Sequence, residues 1–351
     1  MSRVSSTFKC FRWSPIEFHV SGTGEDYLDL SQTQLFLKVK VVMSDGSLLK
    51  DGEKVGPVNL FMHSLFSQVD VTLNERLISS SNNTYPYRAI LEKLLNHSYD
   101  EKTSQLSAEL FFKDTAGKMN VFDPSDPNPN EGFTKRADFI KKSETVDMIG
   151  RLHVDLFHQE RLMLNLVDLK LKLIRSKPEF CLMGENSYKI LIQHASLFVR
   201  KVRVNPAVTL AHAKSLEKTS AKYPINRVLC KIYSIPQVYM DGQPVPYHPL
   251  EPNFENNTFI RAYQSLFLSA EERGLYLSRS EYANGYSFFV YDLSPDLCSG
   301  EHLNLVRHSN LRLEVKFSKA LEQTVSVIVY AEFENLIEIN KARNILFDFG
   351  N

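Results

Sequence analysis

Apolar and polar residues alternate one by one in short runs along most of this chain, and a period of two marks strands with one buried and one wet face. The clearest runs are residues 35–42, 169–173, 188–192, 311–317 and 325–330. Helical stripes are few. Tyr87, Ile90, Leu91, Leu94 and Leu95 recur at helical spacing behind Thr84 and Pro86, and Phe259, Ala262, Tyr263, Leu266 and Phe267 do so behind Thr258. Strands and helices never alternate in the βαβ manner. That argues against parallel α/β folds and leaves antiparallel sandwiches or jelly rolls.

The two helical stripes sit in matching surroundings, which points to an internal repeat. Asn82-Asn-Thr-Tyr-Pro-Tyr-Arg-Ala89 opens the first and Asn256-Asn-Thr-Phe-Ile-Arg-Ala262 the second. A hairpin pattern precedes each, at 71–78 and 238–245, with polar residues at the turn. A strand ending in Asp155-Leu156 or Asp292-Leu293 follows each. Leu164-Asn-Leu-Val167 then matches Leu303-Asn-Leu-Val306, 169–177 matches 311–319, and long strand regions at 188–204 and 324–339 close the halves.

Spacing within the repeat is uneven. The helix matches lie 174 positions apart and the Asp-Leu matches 137 apart, so the first half holds 37 extra residues between helix and strand. The excess coincides with 113–143, where Asp123-Pro-Ser-Asp-Pro-Asn-Pro-Asn130 reads as a surface loop insertion. Ahead of its hairpin the second half has room mainly for 223–235, so it is short of strands. The expected organisation is all-β: a first jelly roll at 1–205, with the loop insertion 113–143, and a shortened second one at 206–351. The boundary falls near Asn205-Pro206.

Gly56-Pro-Val-Asn-Leu-Phe-Met-His-Ser-Leu-Phe-Ser-Gln-Val-Asp70, Asn83-Thr-Tyr-Pro-Tyr-Arg88, Lys113-Asp-Thr-Ala-Gly117, Tyr282-Ala-Asn-Gly-Tyr286 and Val329-Tyr-Ala-Glu-Phe-Glu-Asn335 together carry a family likeness. The chain resembles, over nearly its whole length, the major capsid (hexon-like) proteins of Polinton or Maverick elements and adintoviruses. The resemblance implies a tandem double jelly roll, a homotrimer forming a pseudo-hexagonal capsomer, and a capsid lattice with a penton-type minor capsid protein as partner. It also implies a virion location, with synthesis in the host cytoplasm and assembly in the nucleus. One departure stands out. The family carries a further strand and an Asn-Pro-Phe loop between segments like 223–228 and 239–243, which Ile235-Pro-Gln-Val238 joins directly here.

Composition agrees with a binding or structural role. With 41 basic and 41 acidic residues in 351 the formal charge is zero, so no strong nucleic-acid binding is expected. No apolar run reaches the ~20 residues of a membrane-spanning helix, and the first residues have no apolar signal core, so the expectation is a soluble, cytosol-made chain. Cys10, Cys181, Cys230 and Cys298 are far apart and form no metal or disulfide pattern.

Candidate chemistry is sparse. His153 and His158 flank Asp155, but if they lie on a strand, a spacing of five turns their rings to opposite faces. His63, among Phe61, Met62, Leu65 and Phe66, reads as a hydrogen-bonded core or interface residue. Gly22-Thr-Gly24-Glu25-Asp26 lacks the rest of a dinucleotide motif and reads as a turn. Residues 123–131 are acidic, but Pro124, Pro127 and Pro129 break the calcium-loop pattern. Asn82, Asn96 and Asn256 head glycosylation sequons that a chain without a signal peptide leaves unmodified. Lys141-Lys142 and the lysines of 113–118 are too sparse to bind phosphate. The expectation is therefore no catalytic residues, no cofactor, no metal and no enzyme activity. Two alternatives remain: a host-adopted β-sandwich that binds a glycan or protein without assembling, and a β-sandwich glycosidase, which would need paired carboxylates at a cleft.

Overall fold

A computed structural model of the protein describes residues 2–5, 14–235, 250–268, 275–291 and 323–347, with isolated positions at 313, 315, 317–319 and 321. Along β3 (Asp26–Met43) the alternating sequence becomes alternating burial: Leu35, Leu37, Val39 and Val41 are buried, Lys38 is exposed and Lys40 half-buried. The run 169–173 does the same on β7 (Leu169–Arg175), where Leu169, Leu171 and Leu173 face inward. Each such side chain contributes about 1.5–3 kcal/mol of apolar burial, and a register slip of one residue would place all of them in water.

Eight strands of the first half form two antiparallel sheets. They are β1 (Ser2–Ser5), β2 (Ile16–Val20), β3, β4 (Phe66–Leu73), β5 (Arg76–Ser80), β6 (Thr145–Arg151), β7 and β8 (Tyr188–Arg203). One sheet has the order β1-β8-β3-β6, the other β2-β7-β4-β5. Strands that neighbour one another in a sheet are mostly distant in sequence, because the chain crosses between sheets after β1, β2, β3, β5, β6 and β7. That winding is the eight-stranded jelly roll. Only β4 and β5 form a hairpin, and Asn74 and Glu75 take positive φ at its two-residue turn. β3 and β8 pair from Tyr188–Met43 to Arg203–Asp26 across two bulges, making the spine of the first sheet. The core between the sheets draws on Phe18, Leu35, Leu37, Val69, Val71, Leu171 and Leu197.

After β8, Asn205 caps α4 (Pro206–Ser215) by accepting from the Ala207 amide, and Pro206 stands in the first turn, where its missing N–H costs nothing. The second half then contributes β9 (Ala221–Ile235), β10 (Val325–Ile339) and β11 (Ile345–Phe347) as a three-stranded antiparallel sheet. Tyr223, Ile225, Ile337, Ile339 and Ile345 join the first unit's core cluster. The hairpin at 238–245, Asp292-Leu293, 303–306, positions 311, 312, 314 and 316 of the run 311–319, and the junction at 236–238 lie outside the described residues.

Two expectations change. The 113–143 insertion is loop only in part: 123–130 is a turn-rich loop, but α3 (Glu131–Asp138) follows, capped by Asn130, with Phe133, Arg136 and Ala137 buried. Arg136, fully buried, donates to the carbonyls of Pro57 and Phe112 and to Asp114, which stitches the insertion to the sandwich. The helix α2 (Tyr85–Asn96) also sits differently from its apolar stripe. Tyr87, Ile90, Leu91 and Leu95 are only half-buried, whereas Tyr85, Arg88, Ala89, Glu92 and Lys93 are buried. Of the stripe only Leu94 is buried, and the buried side of this helix combines Tyr85 and Ala89 with the charged Arg88, Glu92 and Lys93.

Candidate functional site

The charged face of α2 is the centre of a buried network. Arg88 and Glu92, one helical turn apart, pair at 2.7 Å, and Arg88 also reaches Asp155 at 2.5 Å. His63 comes from α1 (Phe61–Ser64), a single turn that Leu60 enters with a left-handed φ of 58°. Its Nδ1 lies 2.8 Å from the Tyr85 hydroxyl and its Nε2 3.1 Å from Glu109 Oε2. Lys93 donates to the other oxygen of Glu109 at 3.0 Å. His153 Nδ1 bonds Glu92 Oε2, and the His158 Nε2 lies 3.5 Å from the same oxygen. Gly150 makes room for Glu109, since a Cβ there would stand 2.4 Å from Oε1.

Strands of the second half close the network. The Val228 amide of β9 donates to Asp155 at 3.2 Å, and the Tyr330 hydroxyl of β10 is 3.2 Å from Glu92 and 2.8 Å from Glu332. Burial pushes His153 down to about 3, so its imidazole is neutral. Burial raises the carboxyl pKa of Glu92, but the charge of Arg88 and the contacts of His153 and His158 together outweigh it and hold that group ionised, far below the usual carboxylate range. Burial likewise opposes ionisation of Glu109, yet the hydrogen bond from His63 and the charge of Lys93 bring it down to about 2. Removing one partner from such a set strands a buried charge, at a cost of about 3–5 kcal/mol.

His153 and His158 do not diverge. They do not lie on one strand: a 3₁₀ turn at Asp155–Phe157 separates them, bends the chain and turns both rings toward Glu92, with centroids 6.0 Å apart. His63 is buried with both ring nitrogens bonded. Gly22 donates its amide to Asp168 in the turn between β2 and β3, and Asp123 pairs with Lys54 and Ser125 in its loop. Cys181 is buried and Cys230 half-buried, both free, while Cys10 and Cys298 lie outside the described residues. Glu92, Lys93 and Glu109 have no mark of their own in the sequence, Arg88 stands there only within the family-like segment, and Asp155 only between the two histidines. Arg88 and Glu92, four apart within the first helical stripe, were the available signal.

The five segments that carry the family likeness fall into two groups in space. His63, Tyr85, Arg88 and Tyr330 bring three of them to the network. The other two meet each other: the Gly117 amide donates to Asn284 O at 2.7 Å, the Tyr286 hydroxyl to Asp114 O at 2.9 Å, and Lys113 pairs with Glu281. Beside them α2 shares an apolar cluster with α5 (Ile260–Leu268) and α6 (Arg279–Ala283), through Ala89, Leu94, Phe111, Ala262, Leu266 and Tyr282. The two helices of the sequence repeat therefore pack into one cluster. Two depressions of about 330 and 250 Å³ open elsewhere, at 138–147 and around 49–55 and 123–142, and no network residue lines either. No helix among the described residues is long and apolar enough to cross a membrane.

No family model matches the chain. An uncharacterized protein of Caenorhabditis elegans is 24% identical, covering 95% of this chain and 93% of its own length. That alignment runs over 405 positions, more than the 351 residues here, so the relative holds stretches that this chain lacks. Among solved structures, a chain of the Sputnik virophage matches at TM-score 0.45 and 13% identity, covering 68% of this chain and 52% of its own. The Faustovirus major capsid protein matches at 0.42 and 9%, covering 67% and 59%. The mavirus major capsid protein matches at 0.39 and 12%, covering 67% and 52%. The chain thus spans about half the length of the solved proteins it is similar to.

Proposed function

We propose that this chain is a structural capsid subunit of the double jelly-roll kind, encoded by a Polinton-like element and acting as a homotrimer rather than an enzyme. The observation that carries the reading is the winding of the first half into sheets β1-β8-β3-β6 and β2-β7-β4-β5. The sequence repeat supports a second, related unit after residue 205, and hydrogen bonds from Val228 to Asp155 and from Tyr330 to Glu92 are consistent with such a unit packing on the first. Two similar units per chain let a threefold ring present six near-equivalent sides, so trimers can tile a hexagonal lattice and close an icosahedral shell. A penton-type protein would fill the vertices. Synthesis in the cytoplasm followed by nuclear assembly belongs to the same reading.

Analytical ultracentrifugation and negative-stain electron microscopy of the purified chain test it. Trimers of pseudo-hexagonal outline, or shells, are the expected result. A second construction, with the family's longer stretch inserted at Gln237, should increase the trimer fraction. Monomers in both cases would overturn the proposal and favour the non-assembling binding module.

A further inference from the structure

Outside any assembly role, the buried network holds a set of donors that hydrogen bonding alone leaves incomplete. One donor atom each from His63, Glu109 and His153 lies within 4.8 Å of the other two, and all three residues are buried. The His63 and His153 rings meet edge to face with centroids 4.8 Å apart. His153 Nε2 is buried and has no hydrogen-bond partner among the described residues. An unpaired polar atom at such a site is a standing cost of about 1–3 kcal/mol unless something binds it.

We propose that His63 Nε2, His153 Nε2 and Glu109 Oε2 bind one zinc ion at the inner end of this network. Two imidazoles and a carboxylate are a zinc donor set, with a water molecule as fourth ligand. Bonds of about 2.0–2.2 Å would place the donors roughly 3.3–3.6 Å apart, so no pair has to close by more than about 1.5 Å. Outer partners are already in place. Tyr85 occupies His63 Nδ1 and Glu92 occupies His153 Nδ1, so His153 Nε2 is free to face the metal and His63 Nε2 would exchange its hydrogen bond to Glu109 for it, while Lys93 holds the second oxygen of Glu109. The ion would enter during folding, because all three ligands are buried. It would tie α1, the turn at Gln105–Glu109 and the segment after β6 into one unit.

The test refolds the full chain in excess Zn²⁺, removes loose metal with EDTA, and measures bound zinc by mass spectrometry and its ligands by X-ray absorption. About one ion per chain, in a shell of two imidazoles and oxygen, is expected. Glu109→Gln should abolish retention, Tyr85→Phe should weaken it about 10–100-fold through the outer shell, and His194→Ala, on β8 outside the network, should leave it unchanged. Absence of retained zinc in the wild-type chain overturns the proposal. So does sulfur in the shell, which is read without any substitution, or retention unaffected by Glu109→Gln.

Discussion

Replacing Gly150 with alanine should destabilise the first jelly roll by about 1–2 kcal/mol. Gly150 pairs with Leu35 on the edge strand β6, and its missing side chain is the space that Glu109 fills. A Cβ would stand 2.4 Å from Oε1 and 2.5 Å from Cγ and Cδ of Glu109, so the whole side chain would have to move. It is not free to do so, being held by His63 and Lys93. If Glu109 stays, the overpacking costs ~1–3 kcal/mol; if it leaves, Lys93, only 5% exposed, loses its partner at ~3–5 kcal/mol. Loss of glycine's unfolded-state freedom returns about 0.4–1 kcal/mol. Gly24, with nothing within 4 Å of its built Cβ, is the control. Equilibrium urea unfolding followed by circular dichroism measures both. A Gly150→Ala variant within about 0.5 kcal/mol of Gly24→Ala would refute the packing argument.

Arg136→Met should cost about 3–5 kcal/mol, because Asp114 and the carbonyls of Pro57 and Phe112 lose their donor, and limited proteolysis should then cut within 113–143. Burial, helped by the charge of Lys113 and opposed by Glu281 and Glu101, pushes Lys102 down to about 8, while its ordinary value is 10.5. Between those values the unfolded chain binds more protons, so wild-type stability relative to Lys102→Met should rise from pH 8 to pH 10; a flat or falling difference in urea midpoints would contradict this. Burial pushes the Cys181 thiol up to about 12, so at pH 8 it should resist iodoacetamide in the folded chain and react at the rate of unfolding, as mass spectrometry of quenched samples would show.

The sandwich was legible because its information is local: Leu35 to Val41 and Leu169 to Leu173 announce their inward face by alternation alone. The network was not, because its members come from distant segments, 46 positions separating His63 from Glu109 and 61 separating Glu92 from His153. Periodicity also ranks residues by hydrophobicity, so it assigned the buried face of α2 to Tyr87, Ile90 and Leu91 rather than to Arg88, Glu92 and Lys93. Charged side chains can occupy a deep face when they neutralise one another, and nothing in a single helix reveals partners on other elements. For His153 and His158 the error lay in assuming an extended backbone, where Asp155–Phe157 instead makes a turn.

The strand order carries a consequence for the ribosome. β8 lies between β1 and β3, and β7 between β2 and β4, so both sheets are completed from the middle by strands made late. β3 is finished at residue 43, yet its long partner is not complete until residue 203. At ~5–20 residues per second, the nascent chain spends on the order of ten seconds or more with a long apolar strand lacking that partner. Throughout that interval β3 exposes an open backbone edge to whatever is nearby, including the same segment of another chain on the same messenger. A cell making this protein in quantity therefore needs holding chaperones in proportion to its translation rate, and slower initiation should raise the soluble yield.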